Sequence, residues 1–516
     1  MLSHVYTSTV VGIDGCMVKV ELDISTGLPS FSIVGLPDTA VKESRDRVTS
    51  ALRNTGYDFP IKRITVNLAP ADIRKAGAAY DLPIAIGILS ATEQINSSAL
   101  NDYILIGELS LDGKVREVHG ILPIALKARE NGFQGIILPE NNKVEASVVK
   151  DIDIIPVISL EQTVNFLNDK TSVTPYSVNL QTLFSDKQQY IYDFADVKGQ
   201  EFAKRALEVA AAGAHNILLI GPPGAGKTML AKRLATILPD LTLEEAVEST
   251  KIHSVAGILG KKTALNGTRP FRSPHHSISN TALIGGGIFP RPGEVSLAHH
   301  GVLFLDELPE FRRDVLEVLR QPLEDCVVTI SRAAASITYP ARFTLACAMN
   351  PCPCGYYGHP LRECACTPFQ IEKYLSKISG PLMDRIDIHV EVPALKIDEL
   401  TARIFVSEPS DTIRKRVVAT REIQTARFKG YQHIHANAHM SSREIKHFCV
   451  LNTASHLLLR SAIEKLGLSA RAYDRILKVA RTIADLNTHT DIQTQDVAEA
   501  IQYRSLDRKL FAGGVI

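Results

Sequence analysis

The segment that most constrains the fold of this chain reads Gly221-Pro222-Pro223-Gly224-Ala225-Gly226-Lys227-Thr228. It completes the pattern G-x-x-x-x-G-K-T after the apolar run 216–220 and before a typical helix start at 229–234. Strand, glycine-rich loop and helix in this order form a phosphate-binding loop, because the glycines let backbone N–H groups converge on a β-phosphate. Lys227 is expected to reach the β- and γ-phosphates, and the Thr228 hydroxyl to bind Mg²⁺. The pattern predicts a nucleoside triphosphate site; a chance glycine-rich turn is the alternative.

A second apolar run, 301–305, ends in Asp306 and Glu307. At a strand end beside a phosphate loop, Asp306 is placed to hold Mg²⁺, directly or through water, and Glu307 to polarise the attacking water. An apolar run followed by Asp-Glu is common on its own. Together with the upstream loop, it predicts the second half of an ATPase site.

A third apolar run, 343–349, ends at Asn350. A polar side chain at this strand end is expected to orient the lytic water beside the γ-phosphate. The alternative is a turn-forming residue before a proline. Further on, Arg385 stands between Asp384 and Asp387, where a surface ion pair is the alternative to a catalytic role.

Composition narrows the class of protein. The 516 residues are too many for one core and predict about three domains. A formal net charge of +1 gives no global attraction to nucleic acid or anionic lipid, so contacts with polyanions must come from local patches. No secretory signal is recognised, and the apolar stretches fall short of the roughly 20 residues that span a bilayer. Eight cysteines in so long a chain do not form a disulfide framework, so we expect a reduced, cytoplasmic protein without membrane contact.

Patterning along the chain predicts four segments. Residues 1–167 alternate β-branched runs with helical stretches, as in a self-contained α/β or α+β domain. Residues 168–196 are polar, lack periodicity and are interpreted as a linker. Strand–helix alternation around the phosphate loop fills residues 197–393, and helical periodicity dominates residues 394–516, for example over Ala470–Leu486.

These motifs in this order resemble the AAA+ ATPases: phosphate loop, Asp-Glu strand, Asn strand end, Asp-Arg-Ile-Asp and a helical C-terminal region. The segment 468–476, Leu-Ser-Ala-Arg-Ala-Tyr-Asp-Arg-Ile, is similar to the lid motif of those ATPases. The segment 292–301, Pro-Gly-Glu-Val-Ser-Leu-Ala-His-His-Gly, resembles the Mg-chelatase-like branch. Both halves of the chain, in order, resemble the ComM/YifB family of that branch.

The resemblance implies roles that the residues alone do not establish. Arg385 would be the arginine finger that acts on the ATP of a neighbouring subunit, and Arg471 the lid arginine near the γ-phosphate. Val197 opens the family's loop beside the adenine. The implied fold is α/β, with an N-terminal α+β domain, a central AAA+ P-loop domain and a C-terminal helical lid. Because a site completed by a neighbour requires a closed assembly, the resemblance implies a homo-hexamer.

Residues 61–140 resemble the Lon protease domain, a ribosomal-protein-S5-like α+β fold. The resemblance rests on the segment 72–83, Asp-Ile-Arg-Lys-Ala-Gly-Ala-Ala-Tyr-Asp-Leu-Pro. It also rests on the segment 107–116, Gly-Glu-Leu-Ser-Leu-Asp-Gly-Lys-Val-Arg, which is followed by Gly-Ile-Leu-Pro at 120–123.

Two positions bear on peptidase chemistry. Aligned on Gly77, the position of the Lon serine falls at Ala79, or at Tyr80 if the register slips by one residue. Leu122 falls where Lon carries its lysine. A serine–lysine peptidase needs a hydroxyl to attack and an amine to take its proton, and alanine and leucine offer neither. The resemblance therefore implies a non-peptidase domain kept for binding or assembly.

Two C-x-C pairs lie within residues 352–366: Cys352 with Cys354, and Cys364 with Cys366. Four thiolates that can meet in a tetrahedron, in a reducing compartment, favour a structural Zn²⁺. The turn between the pairs carries His359 as a reserve ligand. The alternative is a surface loop with free thiols, and the single-residue spacing is tighter than usual for zinc.

Three regions are candidates for gripping a polymer. Two strands, 326–332 and 337–343, are predicted to form a hairpin with Arg332 near its tip, and by resemblance this hairpin points into the pore of a ring. The insertion 271–292 is similar to a second pore-facing insert, with Arg272, His275, His276 and Arg291 as candidate contacts. Residues 410–432 carry six basic side chains against two acidic ones. Solvated basic side chains are the alternative for Arg332 and for the basic run.

The leading function is an ATP-driven hexameric DNA motor. The resemblance implies helicase or branch-migration activity on single-stranded or branched DNA during natural transformation and homologous recombination, with recombination proteins as further partners. Two alternatives remain, a chelatase-type ATPase that drives metal insertion and a protein-remodelling chaperone. The Lon-like N-terminal domain is expected to argue against the chelatase. Stimulation of the ATPase by DNA, by a porphyrin-binding partner or by neither would separate the three.

Overall fold

The computed structural model describes residues 1–96, 98–169, 173–178, 190–260, 263–287, 290–332, 335–394, 407–431 and 433–506. The chain divides into two compact units. The first comprises Met1–Lys187 and Leu243–Gly267, and the second Gln188–Thr242 and Thr268–Ile516. The predicted four segments remain a prediction, and much of the predicted linker lies outside the described residues.

The first unit is an α/β body around one mixed sheet. Its strands are β1 (Leu2–Val11), β2 (Asp14–Ser25), β3 (Ser30–Val34), β4 (Arg63–Ala69), β5 (Tyr103–Leu105), β6 (Glu108–Leu109), β7 (Val115–Arg116), β8 (Gly135–Pro139) and β9 (Asp153–Val157). Its helices before residue 187 are α1 (Thr39–Asn54), α2 (Asp81–Ala91), α3 (Ile121–Glu130), α4 (Lys143–Ala146) and α5 (Leu160–Leu167). Among the described residues the main sheet has the order β3-β4-β2-β1-β5-β8-β9.

Periodicity explains how this sheet packs. Along β2, Val18, Val20 and Leu22 are fully buried at every second position, which places them on one face. Nearly every residue of α2 is buried, as expected for a helix inside a core. Gly87 lets α2 approach β2, since a Cβ there would stand 2.2 Å from the Leu22 Cδ1.

The second unit contains β10 (Ile217–Ile220), β11 (Phe271–Arg272), β12 (Gly285–Gly286), β13 (Arg291–Pro292), β14 (Val302–Leu305), β15 (Val327–Arg332), β16 (Ala335–Pro340), β17 (Thr344–Met349) and β18 (Ile388–Glu391). The next helices in chain order are α6 (Glu201–Gly213), α7 (Lys227–Ile237), α8 (Leu243–Ala256), α9 (Asn280–Ile284), α10 (Glu294–Leu297), α11 (Arg313–Glu317), α12 (Arg320–Asp325), α13 (Pro368–Leu375) and α14 (Gly380–Met383). A helical region follows, with α15 (Ser410–Arg427), α16 (Ser442–Phe448), α17 (Thr453–Leu466), α18 (Ala470–Leu486) and α19 (Thr494–Gln502).

A parallel sheet organises the second unit, with the order β11-β14-β17-β10-β18 among the described residues. Its central strands are buried at every position and, apart from Thr344, apolar, the pattern of a parallel sheet covered by helices on both faces. The expected α/β fold class is confirmed, including the run of helices at the C-terminal end. The bounds predicted for α18 are also those observed.

Helix α8 lies in the first unit although it falls between β10 and β14 in the chain. Ser254 of α8 donates a hydrogen bond to the Glu145 carboxylate, which also accepts from Leu122 N at 2.8 Å. Lys251 pairs with Asp14 at 2.6 Å. These contacts attach α8 to the start of α3 and to β2.

Candidate active site

The phosphate loop connects β10 to α7. Gly224 and Gly226 have φ values of 78° and 89°, in the left-handed region that favours glycine. Gly221 passes close to the chain after β18, because a Cβ there would stand 2.1 Å from Val392 O. The glycines therefore allow the tight curl that a phosphate cradle requires.

Lys227, the first residue of α7, is 9% exposed. Its Nζ donates to the carbonyl oxygens of Gly221 (2.7 Å) and Pro222 (2.9 Å). Burial lowers the pKa of Lys227, whereas the negative charges of Asp306 and Glu307 act to raise it. A bound phosphate would place further negative charge close to this buried ammonium group.

The magnesium pair predicted from the sequence meets in the structure. Thr228 Oγ1 donates to Asp306 Oδ2 at 2.6 Å. The other carboxylate oxygen, Asp306 Oδ1, accepts from Glu307 N at 2.9 Å. A hydroxyl and a carboxylate in contact provide the oxygen ligands that Mg²⁺ prefers, so Thr228 and Asp306 fit a magnesium ion bound with a triphosphate.

Glu307 has φ = 53°, a left-handed conformation that is uncommon for a residue with a side chain. The side chain is 59% exposed. The turn directly after β14 therefore presents this carboxylate to solvent beside Asp306, where a general base for water must stand.

Asn350 joins the same group, since its Oδ1 accepts from Lys227 Nζ at 3.0 Å. The reason lies in the sheet order: β17 lies between β10 and β14 and runs parallel to both. The carboxyl ends of three parallel neighbours share one edge, and ligands of such sheets bind there. The structure thus brings together Lys227, Thr228, Asp306, Glu307 and Asn350, as the motif spacing predicts.

Val197 is fully buried in the core of the second unit. Gln200, three residues on, adopts φ = 59° and donates through Nε2 to Pro393 O (2.7 Å) and Ala225 O (3.5 Å). The loop after Val197 therefore contacts the phosphate loop directly. The resemblance placed Gln200 in the loop beside the adenine, but its contacts with Ala225 and Pro393 carry no local sequence signal.

Arg385 is held within its own chain. Its side chain is 7% exposed, pairs with Glu324 and donates to Pro381 O at 2.6 Å. Among the described residues, its buried Nε has no hydrogen-bond partner. To act on the nucleotide of a neighbour, the guanidinium group must leave Glu324, and that role remains a prediction.

Arg471 lies near Arg385. Its Nη1 stands 3.7 Å from Asp384 Oδ2, and its side chain is 66% exposed. The two arginines line one cavity of about 290 Å³, together with Asp384 and Arg475 of α18. Arg475 binds the fully buried Asp387 at 2.7 Å and so fixes α18 at this cavity. Shared placement of Arg385 and Arg471 was not expected from the sequence.

The four cysteines converge, with all four Sγ atoms within 4.8 Å of one another. The Sγ–Sγ distances are 3.4 Å for Cys352–Cys354 and 3.6 Å for Cys352–Cys364 and Cys354–Cys364. A tetrahedron of thiolates around zinc has edges of about 3.8 Å. The backbone N–H of Cys354 donates to Cys366 Sγ at 3.4 Å, a contact that suits a metal-bound thiolate. The cluster fits a zinc ion.

The cysteine loop packs against the phosphate loop. A Cβ on Gly355 would stand 2.4 Å from Pro223 Cδ, and Gly355 has φ = 84°. Cys352 follows Asn350 by only two residues. The cysteine loop is therefore connected to the nucleotide site at two points, by the chain from Asn350 and by packing on Pro223. The packing on Pro223 was not predicted from the sequence.

The candidate polymer contacts divide into paired and exposed side chains. Arg272 makes a bidentate pair with Glu294 at the start of α10, at 2.6 and 2.7 Å, so its charge is already balanced. His275, Arg291 and Arg332 are exposed. Of the hairpin, β15 and β16 are observed, and residues 333–334 at its tip lie outside the described residues.

The basic run at 410–432 contains all of α15, and its four arginines pair with groups of the second unit. Arg414 donates to Thr236 O (2.8 Å) and Arg421 to Ala211 O (2.9 Å). Arg416 pairs with Glu208 and Glu408, and Arg427 with Asp485. These contacts hold α15 to the rest of the second unit. Because Lys415 is 76% and Arg416 42% exposed, contact between α15 and DNA stays a prediction.

In the first unit, the positions aligned with the Lon pair are apolar or buried. Ala79 is half-buried, and Leu122 is fully buried in α3. Tyr80 is 1% exposed, and burial raises the pKa of its hydroxyl. A phenol that resists ionisation is a poor nucleophile, so neither register supplies peptidase chemistry at these positions.

Across the described residues, no helix is both long enough and apolar enough to span a bilayer.

Three protein families match consecutive parts of the chain. Residues 20–142 match the family described as "Subunit ChlI of Mg-chelatase", and residues 193–400 that described as "Magnesium chelatase, subunit ChlI". Residues 407–504 match "Magnesium chelatase, subunit ChlI C-terminal".

Similar proteins span almost the whole length. The uncharacterized protein YifB of Escherichia coli is 46% identical over 510 residues, 99% of this chain and 98% of that protein. Competence protein ComM of Haemophilus influenzae is 46% identical over 516 residues, with the same coverage. The magnesium-chelatase 38 kDa subunit of Rhodobacter capsulatus is 28% identical over 185 residues, 32% of this chain and 52% of that protein.

Proposed function

The chain belongs to the ComM/YifB family of Mg-chelatase-like AAA+ proteins, and from this membership we propose that it is an ATP-driven motor that acts on DNA. Family membership suggests ATPase activity. The observation that carries the ATPase half of the proposal is the meeting of Lys227, Thr228, Asp306, Glu307 and Asn350 at one edge of the sheet.

In the proposed reaction, water attacks the γ-phosphorus of ATP and the bond to the β–γ bridging oxygen breaks, which gives ADP and phosphate. Lys227 neutralises charge on the β- and γ-phosphates. Glu307 accepts a proton from the attacking water, and Asn350 orients that water. Mg²⁺ would be held by Thr228 and Asp306 and would neutralise charge on the triphosphate.

We infer a homo-hexameric ring in which Arg385 and Arg471 complete the site of a neighbouring subunit. Both arginines line one cavity, and a single cavity can serve one nucleotide. Arginine side chains that reach a γ-phosphate stabilise the charge that develops in the transition state. The Arg385–Glu324 contact is then a resting arrangement that assembly replaces.

We propose that Cys352, Cys354, Cys364 and Cys366 hold one structural Zn²⁺. Support comes from the near-tetrahedral Sγ–Sγ distances and from the backbone N–H group directed at Cys366. The ion would fix the loop that packs on Pro223, and it would take no part in hydrolysis.

The proposal that the protein acts on DNA rests on similarity to a named relative and on exposed side chains. A relative that aligns with 99% of this chain is named a competence protein. Arg332, Arg291 and His275 are exposed on the hairpin and insert, where they can contact phosphates. We propose helicase or branch-migration activity on single-stranded or branched DNA during its integration into the genome.

The chelatase alternative keeps specific support, since the three matched families carry chelatase names. The N-terminal domain was expected to argue against a chelatase. The family matches do not support that argument, because residues 20–142 also match a family with a chelatase name. The aligned lengths favour a DNA motor over a chelatase. The chelatase subunit aligns with 32% of this chain, whereas competence protein ComM aligns with 99%.

One assay separates the candidates. Phosphate release by the purified chain is measured alone, with single-stranded or branched DNA, with a porphyrin and magnesium, and with an unfolded protein substrate. We expect stimulation by DNA that weakens steeply as salt rises, because phosphate contacts release counterions. Stimulation by protein with no effect of DNA at low salt would favour a remodelling chaperone, and stimulation by porphyrin a chelatase.

A further inference from the structure

The first unit contains a cavity of about 300 Å³ between the start of β3, helix α1 and the chain that leads into β4. Its apolar wall includes Phe31 and Phe59, whose rings are nearly parallel, with an angle of 8° between them and centroids 6.3 Å apart. Both rings are half-buried and pack on the core of the unit, and the buried Ile64 also lines the cavity. A cavity of this size and lining suits a large apolar side chain of a ligand.

Three cationic side chains also line the cavity: Arg45, Arg53 and Lys62. All three are exposed. Arg45 pairs with the adjacent Asp46 at 3.0 Å, and the guanidinium carbon of Arg53 lies 5.6 Å from the centroid of the Phe59 ring. Among the described residues that line the cavity, Asp46 is the one acidic side chain. The cavity therefore favours a ligand with negative charge.

Strand β3, which borders the cavity, is an edge of the main sheet. Among the described residues it pairs with β4 alone. It reads Ser-Phe-Ser-Ile-Val, without the charged side chains or proline that commonly protect sheet edges. The opposite edge strand, β9, carries Asp153 and Pro156, and Tyr176 N donates to Ile154 O at 2.8 Å. The edge of β3 therefore presents backbone N–H and C=O groups with which a further strand can pair.

The cavity lies away from the positions aligned with the Lon serine. Strands β3 and β4 are parallel, with Ser30 opposite Arg63, and the cavity is at the amino ends of both strands. The loop that leaves the carboxyl end of β4 pairs with the chain after β3, where Lys75 N donates to Leu36 O at 3.2 Å, and it then leads to Ala79. The cavity and the peptidase-like positions therefore occupy opposite ends of these strands.

We propose that this cavity and the edge of β3 form a docking site for an extended, acidic peptide of a partner protein. The peptide adds to the sheet as a strand beside β3, and its main-chain hydrogen bonds supply affinity. An apolar side chain of the peptide lies against Phe31 and Phe59, and its acidic side chains pair with Arg53 and Lys62. The cavity and the cations supply the specificity.

Charge and backbone chemistry favour this occupant over two others. The longer segments outside the described residues, 179–189, 395–406 and 507–516, contain as many basic as acidic side chains or more, so none of them matches the positive lining. Nucleic acid has negative charge but no peptide backbone, so it would leave the edge of β3 unpaired. Docking here does not depend on the proposed ATPase, because every residue that lines the cavity belongs to the first unit.

The test begins with a phage-displayed library of random dodecapeptides, selected on the intact chain. We expect the enriched peptides to be acidic and to contain a large apolar residue. Fluorescence anisotropy of a synthetic selected peptide then gives its Kd. Arg53→Glu and Lys62→Glu should each raise that Kd about tenfold, because each reversal replaces an attraction with a repulsion. Arg129→Glu makes the same charge change at an exposed position of α3 and should leave the Kd unchanged.

Hydrogen–deuterium exchange tests the mode of binding. The bound peptide should slow exchange at residues 30–34, and unchanged exchange there would contradict strand addition. Thermal unfolding checks that each variant is folded. A selection that enriches no acidic peptide, or a Kd that neither Arg53→Glu nor Lys62→Glu changes, would overturn the inference. If a single-stranded oligonucleotide binds instead, and both substitutions weaken its binding, the cavity holds nucleic acid and not a peptide.

Discussion

Lys227 and Glu307 occupy the same edge of the sheet but should fail in different ways when changed. Lys227→Ala removes the cation aimed at the phosphates and should abolish ATP binding. Glu307→Gln keeps the shape of the site but loses the base, so ATP should bind normally and turn over slower by about 100-fold or more. Equilibrium binding of a fluorescent ATP analogue and phosphate release measure the two effects. Normal ATP binding by Lys227→Ala would contradict the assignment.

A second prediction concerns the two arginines of the shared cavity. Arg385→Ala and Arg471→Ala should each bind ATP nearly as wild type yet lose turnover by about 10³-fold, because each acts on the nucleotide of a neighbour. Mixing either variant with Glu307→Gln should restore activity. At equal amounts, about a quarter of the interfaces then combine an intact Glu307 with an intact arginine.

The matched control is a mixture of Arg385→Ala with Arg471→Ala, which should recover little if both arginines serve one neighbouring site from the same subunit. Light scattering must show that mixed assemblies form. If they form and no mixture with Glu307→Gln regains activity, the arginines do not act across an interface.

For single residues, the sequence motifs predicted which side chains would meet at the ATPase site, but not which partners hold each side chain in place. Asn350 could be placed beside Lys227, because a parallel sheet brings its strand ends to one edge. The Arg385–Glu324 and His276–Glu307 contacts could not be predicted. They depend on where a helix end and a loop settle after folding, and no periodicity records that.

The cysteine loop, residues 352–366, is predicted to bind a metal ion. Protein purified without added metal should contain about one zinc per chain, and Cys364→Ser should lose it. Because Gly355 of this loop packs on Pro223, the same variant should also weaken ATP binding and lower the melting temperature. Elemental analysis and thermal unfolding are the measurements.

Cys16→Ser is the control for this prediction, since Cys16 lies in β2, outside the cluster. It should keep zinc, ATP binding and stability. A metal-free protein that is as active and as stable as the metal-bound one would refute the zinc site.

The contacts of helix α8 predict how the free energy of unfolding should change when Glu145 is replaced. The Glu145 carboxylate accepts from Leu122 N and from the Ser254 hydroxyl, and burial raises its pKa. Glu145→Ala leaves those donors buried and unpaired, which should cost about 2 kcal/mol in the free energy of unfolding. Glu145→Gln keeps an acceptor without a buried charge and should cost less.

The raised pKa also sets the sign of a pH effect. Folding favours the protonated carboxyl, so the native state binds the proton more tightly than the unfolded chain, and this group costs stability as pH rises above its unfolded pKa. Glu145→Gln should remove that loss. Chemical unfolding of wild type and both variants across the acid range tests it, and equal stability of Glu145→Ala and Glu145→Gln would contradict the account.

Helices and strands were predicted correctly from the sequence where a periodic or apolar pattern extends over many residues. The bounds of α18 agree, and the strand expected at 343–349 is β17 at Thr344–Met349. The two-residue strands β11 to β13 escaped prediction, since two residues carry no period. The charge run at 410–432 could not reveal which of its side chains are covered: Arg414 and Arg427 are mostly buried, whereas Lys415 is exposed.

For the whole molecule, the net charge limits how DNA can be bound. A chain with a net charge of +1 cannot bind DNA through its overall field. DNA must instead be bound by a few exposed cationic side chains, such as Arg332 and Arg291. Arg332→Ala should therefore lower DNA-stimulated ATPase and flatten the dependence of DNA binding on salt by about one counterion, while hydrolysis without DNA is spared. A fluorescence titration at several salt concentrations measures this.

The central claim is that ATP hydrolysis drives movement along DNA, and displacement of a labelled strand from a forked duplex tests it most directly. Wild type should displace the strand when ATP is present, and Glu307→Gln should bind the fork but leave it intact. Wild type that hydrolyses ATP at a rate indifferent to DNA, and leaves both forked and branched substrates intact, would contradict the claim.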